Sequence, residues 1–157
     1  MTFGLAFAAA IGSGLMAGLF FVFSVTIMSA LGKLPAAAGI AAMQSINATI
    51  LSPLFLAAFM GTALLCVVIA VVAMLNWSSP ASGWLVTGAL LYVAGTFLVT
   101  IIFNVPMNDA LAAASADSSE AASLWSRYLS VWTGWNHVRT VTSTAALGMF
   151  IQALRQL

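Results

Sequence analysis

The amino-acid sequence predicts an all-α integral membrane protein, in which four helices form an up-down-up-down bundle. Of the 157 residues, 63% are hydrophobic and 4% are charged, whereas about 25% of the residues of an average soluble domain are charged. Four basic and three acidic side chains cannot cover the surface of a soluble domain of this size. The chain also contains four long apolar segments, and a bilayer-spanning helix needs roughly 20 such residues. We expect a single transmembrane domain over residues 1–157.

The same composition excludes several other classes of protein. Intrinsic disorder requires low hydrophobicity and high charge, and a net charge of +1 provides no basic surface for a nucleic acid. The strands of a membrane β-barrel are about ten residues long and alternate in polarity, whereas these segments are longer and continuously apolar. Cys66 is the only cysteine, so the chain lacks the ligands of a thiolate-bound metal site, and we expect no metal.

The first predicted span runs from Phe3 to Leu31, with no charged residue before Lys33. Its apolar stretch exceeds the 7–15 residues of a signal-peptide core, and no positive segment precedes it, so we expect a membrane helix. Gly14 and Gly18 are four residues apart, and such pairs of small residues let two membrane helices approach closely.

The second predicted span runs from Ile50 to Leu75. The pattern is already helical from Ala36, after a proline at position 35 that suits a first helical turn. We therefore expect an amphipathic extension at the start of this span, outside the membrane. We also expect Pro53 to kink the helix.

The third predicted span runs from Trp84 to Phe103 and the fourth from Trp132 to Leu154. Pro106 disfavours helical backbone angles at the residue before it, which predicts a helix end or break there. The acidic link that follows is expected to be solvated, with a short helix at Ala110–Ala114.

This topology gathers the polar side chains at one end of the bundle. The end of span three and the starts of spans two and four share the end opposite the termini, and polar groups within membrane helices are functional candidates. The charge distribution does not determine the orientation in the membrane. The candidate site residues at this end are Gln44, Asn47, Asn104, Asn108, Asp109, Trp132, Trp135, Asn136, His137 and Arg139.

Helical spacing divides the polar residues of span four into two stripes. Trp132, Asn136, Arg139 and Ser143 share one face, and the adjacent face carries Thr133, His137, Thr140 and Thr144. Both stripes are too polar for lipid, so we expect both to face the interior. Gln44 and Asn47 likewise share one stripe of their helix.

Each candidate also has a purely structural interpretation. The asparagines can form interhelical hydrogen bonds, each of which stabilises the fold by about 0.6 kcal/mol. The tryptophans can form an interfacial belt. His137 can be satisfied by a threonine or a carbonyl group. Arg139 can pair with Asp109, which would neutralise both charges. A pocket with one His, one Arg, several Asn and two Trp would equally suit a planar, acidic, aromatic substrate.

The motifs resemble those of a known family. Asn104-Val-Pro-Met-Asn-Asp109, followed by Trp125-x-x-Tyr128 and Trp132-x-x-Trp135-Asn-His-Val-Arg139, resembles the anthrone oxygenase family of small four-span membrane proteins. Three earlier segments look similar too: Phe20-Phe-Val-Phe-Ser24, Met43-Gln-Ser-Ile-Asn47 and Pro53-x-Phe55. The resemblance therefore covers nearly the whole chain.

The resemblance implies oxidation of an anthrone-type substrate by O₂ without a cofactor. In this hypothesis His137 is the base or proton shuttle, and Arg139 stabilises the enolate oxygen with the help of Asn136 and Asn47. Asp109 orients His137 or neutralises Arg139. The aromatic rings of the substrate stack on Trp132 and Trp135, and the amides of Gln44, Asn104 and Asn108 complete the binding set.

Two other functions stay open at this stage. His137 can supply one axial haem ligand per chain, or two across a homodimer. A small transporter or channel subunit is the other alternative, although its polar residues should then follow the full depth of the spans. The expected partners are the lipid bilayer, a small aromatic substrate and O₂. The expected location is the inner membrane of the cell.

Overall fold

The computed structural model describes residues 2–157, apart from the side chain of Ser119. These residues form helices and turns and no strand, so the all-α prediction is confirmed. The helices are α1 (Thr2–Leu31), α2 (Ala36–Thr49), α3 (Pro53–Leu75), α4 (Ser82–Ala112) and α5, which begins as Ser119–Arg127 and continues through Tyr128–Trp132 into Thr133–Leu154.

Three of these helices are long and apolar enough to cross a membrane, which makes the chain a membrane protein. They are α1, α3 and α4. The fourth predicted span, in the second half of α5, is not among them, because Asn136, His137, Arg139 and several hydroxyl side chains lower its hydropathy. The passage of α5 through the membrane stays a prediction.

The four long helices pack side by side, each antiparallel to its neighbours. Along α1, Gly14 faces Leu147 and the carbonyl group of Phe20 meets Asn136, so α1 and α5 run in opposite directions. Residues of α1, α3, α4 and α5 all contribute to one apolar core at the end that holds the termini. A second apolar cluster lies at the other end, under α2 and the start of α5.

Pro53 separates two helices instead of kinking one. The extension predicted as part of span two is a helix of its own, α2, which ends at Thr49, and α3 begins at Pro53. Ser52 between them is extended, with ψ at 147°, and its hydroxyl oxygen accepts a hydrogen bond from the Phe55 amide at 3.4 Å. Proline disfavours helical angles at the residue before it but is well suited to a first helical position, so this sequence starts a helix.

Pro106 does not end or break its helix, contrary to the prediction. The helix continues through Pro106 to Ala112, and no separate helix covers residues 110–114. A π-helical turn, Thr100–Asn104, directly precedes the proline. We attribute the continuity to this wider turn, since it changes the hydrogen-bond pattern at the place where proline would clash with the preceding turn.

Candidate functional site

A cavity of about 90 Å³ lies at the end of the bundle opposite the termini, between α1, α2, α3, α4 and α5. Most of its lining is aliphatic or aromatic, including Phe20, Phe23 and Phe55. The polar groups of the lining are Asn47, Thr100, Asn108, the indole of Trp132 and Arg139. The guanidinium group is the one ionisable group among the lining residues.

Arg139 is buried, with 4% of its surface exposed, and pairs with no carboxylate among the described residues. Its Nη2 donates to Asn136 Oδ1 at 2.7 Å and its Nη1 to Thr100 Oγ1 at 3.3 Å. The guanidinium carbon lies 4.3 Å from the ring centroid of Phe20 and 4.9 Å from that of Trp132. Aromatic faces attract a cation but leave its charge uncompensated. Within the part of the chain that is described, Nε has no hydrogen-bond partner.

Asn136 joins Arg139 to α1. It is fully buried, and its Nδ2 donates to the carbonyl oxygen of Phe20 and to the hydroxyl of Ser24, both at 2.7 Å. The Ser24 hydroxyl also lies 3.1 Å from that of Thr140. The first helix is therefore part of the environment of Arg139.

A second hydrogen-bonded group surrounds Asn108. Its Oδ1 accepts hydrogen bonds from the Tyr128 hydroxyl and from Trp132 Nε1, each at 2.7 Å. Asn47 Nδ2 donates to the Tyr128 hydroxyl at 3.4 Å. Asn104 is fully buried beside this group and donates to the carbonyl oxygen of Trp132 at 3.2 Å. Trp132 thus has the cation over its ring face and the amide of Asn108 at its edge.

Widened helical turns surround the cavity. The π-helical turns Phe23–Ile27 in α1, Thr100–Asn104 in α4 and Tyr128–Trp132 in α5 each contribute at least one lining residue. Such turns occur frequently at functional sites.

The structure separates the two polar stripes of α5. Trp132, Asn136, Arg139 and Ser143 are buried, whereas His137 and Thr144 are exposed. The expectation that both stripes face the interior is therefore wrong for His137 and Thr144, while Thr133 and Thr140 are half-buried. Consecutive helical residues point about 100° apart, so an inward Asn136 places His137 outside. The exposed Thr144 bonds within its own helix, to the carbonyl oxygen of Thr140 at 2.8 Å, whereas the half-buried Thr140 also contacts the Ser24 hydroxyl of α1.

Four predicted site residues lie away from the cavity. His137 lines a shallow depression on the outer surface together with Val138, Val141 and Thr142. Asp109 is exposed, and the predicted Arg139–Asp109 pair does not form. Trp135 stacks on Phe103 with their ring centroids 3.7 Å apart. Gln44 Nε2 donates to the carbonyl oxygens of Leu111 and Ala114, at 2.8 and 3.1 Å, and so caps the end of α4.

Three residues that contact Arg139 or Asn108 are not among the predicted set: Phe20, Thr100 and Tyr128. A signal for Thr100 was present, because Thr96, Thr100, Asn104 and Asn108 recur at intervals of four and so share one face of α4. Phe20 has no comparable signal, because an apolar residue in an apolar helix does not reveal its neighbours.

A family match covers the part of the chain that holds Arg139. Residues 54–149 match the family model described as anthrone oxygenase, and this range is more than half of the chain. The chain belongs to the anthrone oxygenase family. The match includes the segments around Asn108, Trp132 and Arg139, and membership of the anthrone oxygenases supports an oxygenase-like role. The similar segments that contain Phe20 and Asn47 precede the matched range.

Other comparisons add no relative to this anthrone oxygenase family member. No curated protein and no solved structure matches the chain significantly. Among residues 2–157 no group of three or more His, Cys, Asp or Glu side chains comes together. Cofactor content stays a prediction.

Proposed function

We propose that the protein oxidises an anthrone-type substrate with O₂, and that the cavity at Arg139 binds this substrate as its enolate. The proposal includes a location in the inner membrane of the cell and a reaction without a cofactor. One observation carries it: a buried guanidinium group, with no carboxylate partner among the described residues, lines an apolar, aromatic cavity.

The charge of Arg139 favours an anionic ligand. A buried charge is costly unless it is paired and hydrogen-bonded. A guanidinium group has five N–H donors, and within residues 2–157 the structure shows hydrogen bonds from Arg139 to Thr100 and to Asn136. A ligand oxygen with negative charge would accept further hydrogen bonds and compensate the charge.

The chemistry of an anthrone fits such a site. Loss of a proton from the CH₂ group between the aromatic rings gives an enolate, and a cation within about 4–6 Å lowers the pKa of an acid by about 1–3 units. The electron-rich enolate transfers an electron to O₂, and the two radicals combine at the former CH₂ carbon. After protonation the hydroperoxide loses water and leaves a second carbonyl group. One anthrone and one O₂ give one anthraquinone and one water.

The proton acceptor differs from the one expected from the sequence. The lining residues carry no carboxylate and no imidazole, and His137 lies on the outer surface. In this proposal Arg139 lowers the pKa of the substrate enough for water to take the proton, and Trp132 and Phe20 provide the aromatic surfaces for the rings.

The cavity has to widen for a substrate with three rings. Its volume of about 90 Å³ is smaller than the roughly 300–1,000 Å³ of small-molecule pockets. Ile46 and Asn47 of α2 line it, and residues 50–52 between α2 and α3 are not helical. A shift of α2 about this junction would enlarge the cavity with the four long helices unchanged.

The test is the oxidation of an anthrone by the purified protein in detergent. The reaction is measured as O₂ uptake and as the increase in anthraquinone absorbance. The spontaneous rate without protein is subtracted. Arg139→Gln should lower the rate by about 10²–10³-fold, the typical loss when a group that stabilises a developing oxyanion is removed. Arg155→Gln is the matched control, because Arg155 is exposed and bonds to Gln152. A wild-type rate equal to the spontaneous one, or an Arg139→Gln rate equal to wild type, would contradict the proposal.

A further inference from the structure

We infer that Asn136 is a positioning residue, which fixes the direction of the Arg139 guanidinium group and leaves its positive charge available to a ligand. The inference deepens the proposed function and rests on it only for the identity of the ligand. It concerns a side chain that does not line the cavity and acts through Arg139.

The hydrogen bonds of Asn136 permit a single orientation of its amide. The Phe20 carbonyl oxygen can only accept and the Arg139 guanidinium group can only donate. Nδ2 therefore faces Phe20 and Ser24, and Oδ1 faces Arg139 Nη2, each at 2.7 Å. A rotated amide would place two donors, or two acceptors, against each other. The amide is thus anchored on α1 and in turn holds the guanidinium group.

The neutrality of Asn136 matters as much as its geometry. An aspartate could hold Nη2 at the same position, but its charge would cancel that of Arg139. The other groups that contact the guanidinium group from α1 and α4 are the Phe20 ring and the Thr100 hydroxyl, and neither is ionisable. Among the described residues Tyr128 is the titratable group that interacts electrostatically with Arg139. Asn136 thus orients the cation without compensating it.

Thr100 completes the arrangement from the opposite side. Its hydroxyl accepts from Arg139 Nη1 at 3.3 Å and donates to the Thr96 carbonyl oxygen at 2.8 Å. The bond to Asn136 is shorter by 0.6 Å, and its acceptor is a side chain with no exposed surface. We therefore expect Asn136 to control the orientation more than Thr100 does.

A ligand that cannot react separates this inference from the oxygenase activity. A hydroxyanthraquinone has no CH₂ group to oxidise, and the absorption of its phenolate lies at longer wavelength than that of its phenol. Binding to wild-type protein should lower the pKa of the probe by about 1–3 units, as measured by absorbance during a pH titration. Asn136→Asp should abolish this shift and weaken binding of the anion by about tenfold or more, the equivalent of at least one pKa unit.

A milder variant and a matched control complete the experiment. Ser24→Ala keeps Asn136 and Arg139 but removes one of the two acceptors of Nδ2, so it should give a smaller pKa shift than wild type, whether or not Asn136→Asp folds. Asn76→Asp repeats the same chemical change at an exposed position that donates to the Val72 carbonyl oxygen, and its titration should equal wild type. A thermal midpoint is recorded for each variant.

The outcomes distinguish the two proposals. The positioning role is overturned if Asn136→Asp or Ser24→Ala shifts the pKa of the probe by the same amount as wild type does. It is also overturned if wild type does not shift this pKa. If wild type ionises the probe but does not oxidise anthrones above the spontaneous rate, the positioning role stands and the proposed function fails. The pH–rate profile gives a second readout, because the apparent pKa of turnover should rise in Asn136→Asp, whereas a purely structural loss would lower the rate at every pH.

Discussion

At the scale of single residues, the site depends on a cation that the fold holds without neutralising it. Arg139 is buried against two aromatic rings, and its hydrogen-bond partners Thr100 and Asn136 are uncharged. Such a group is costly for the folded protein, since burial of an ion carries a penalty of several kcal/mol. We therefore expect Arg139 to lower the stability of the folded protein.

This cost predicts that Arg139→Met increases stability while it removes activity. The flexible apolar chain of methionine fills irregular space and removes the desolvation penalty of the cation. Asn136 Oδ1 then loses its donor, at about 1–3 kcal/mol, which is less than the penalty that is removed. The thermal midpoint in detergent, measured beside anthrone turnover, should be higher than that of wild type. A lower midpoint would show that Arg139 has a mainly structural role.

A His137 variant distinguishes the site predicted from the sequence from the site seen in the structure. The sequence predicts that His137→Ala abolishes turnover. The structure places the side chain on the outer surface, where a substitution usually changes the free energy of unfolding by no more than about 0.5 kcal/mol. We therefore expect His137→Ala to retain the turnover of wild type within about twofold in the same assay. A complete loss with an unchanged thermal midpoint would return His137 to the mechanism.

At the scale of helices, the position of Arg139 depends on close contact between α4 and α5. Gly95 allows this contact, because a Cβ atom there would overlap the side chain of Thr142. The same pair of helices carries the hydrogen bond between Thr100 and Arg139. A change at Gly95 should therefore affect both stability and the site.

Gly95→Ala should destabilise the protein by about 1–3 kcal/mol, the usual cost of overpacking, and should weaken ligand binding at Arg139. Gly61→Ala is the control, because a Cβ atom at Gly61 has no neighbour within 4 Å. Thermal midpoints and probe titrations of both variants measure the effect. Equal midpoints would mean that α4 and α5 separate without cost.

The helices show what the sequence could and could not predict. Lengths of apolar sequence predicted α1, α3 and α4 because a span is set by bilayer thickness. The sequence does not predict the effect of the two prolines, because that effect depends on the backbone before each of them. Ser52 is extended before Pro53, whereas a π-helical turn precedes Pro106. In α5 the spacing grouped Asn136 with Arg139 correctly, but two adjacent polar stripes gave no means to choose the buried one.

At the scale of the whole molecule, the site requires the first helix although the family match begins at residue 54. Phe20 and Ser24 of α1 receive the hydrogen bonds of Asn136, and Phe20 lies against Arg139. The family's matched segment therefore supplies the cation, and a helix outside that segment supplies its support.

This division predicts the behaviour of a split chain. A fragment of residues 35–157 should not ionise the hydroxyanthraquinone probe, because the partners of the Asn136 amide are missing. Co-expression with residues 1–34 should restore ionisation, since membrane helices can associate as separate pieces by packing and interhelical hydrogen bonds. Probe titration after co-purification measures the recovery. Full ionisation by the larger fragment alone would show that α1 is dispensable.

The wide turn Tyr128–Trp132 has a consequence for how such a site can change. Deletion of one residue within it would advance every later residue by one place along α5. His137 would then occupy the inward position that Asn136 holds, and Arg139 would leave the interior for the outer surface of the bundle. The loss of a single codon in this turn would therefore put Thr140 in the buried position of Arg139 and His137 in that of Asn136, and would turn every later residue of the helix by one place.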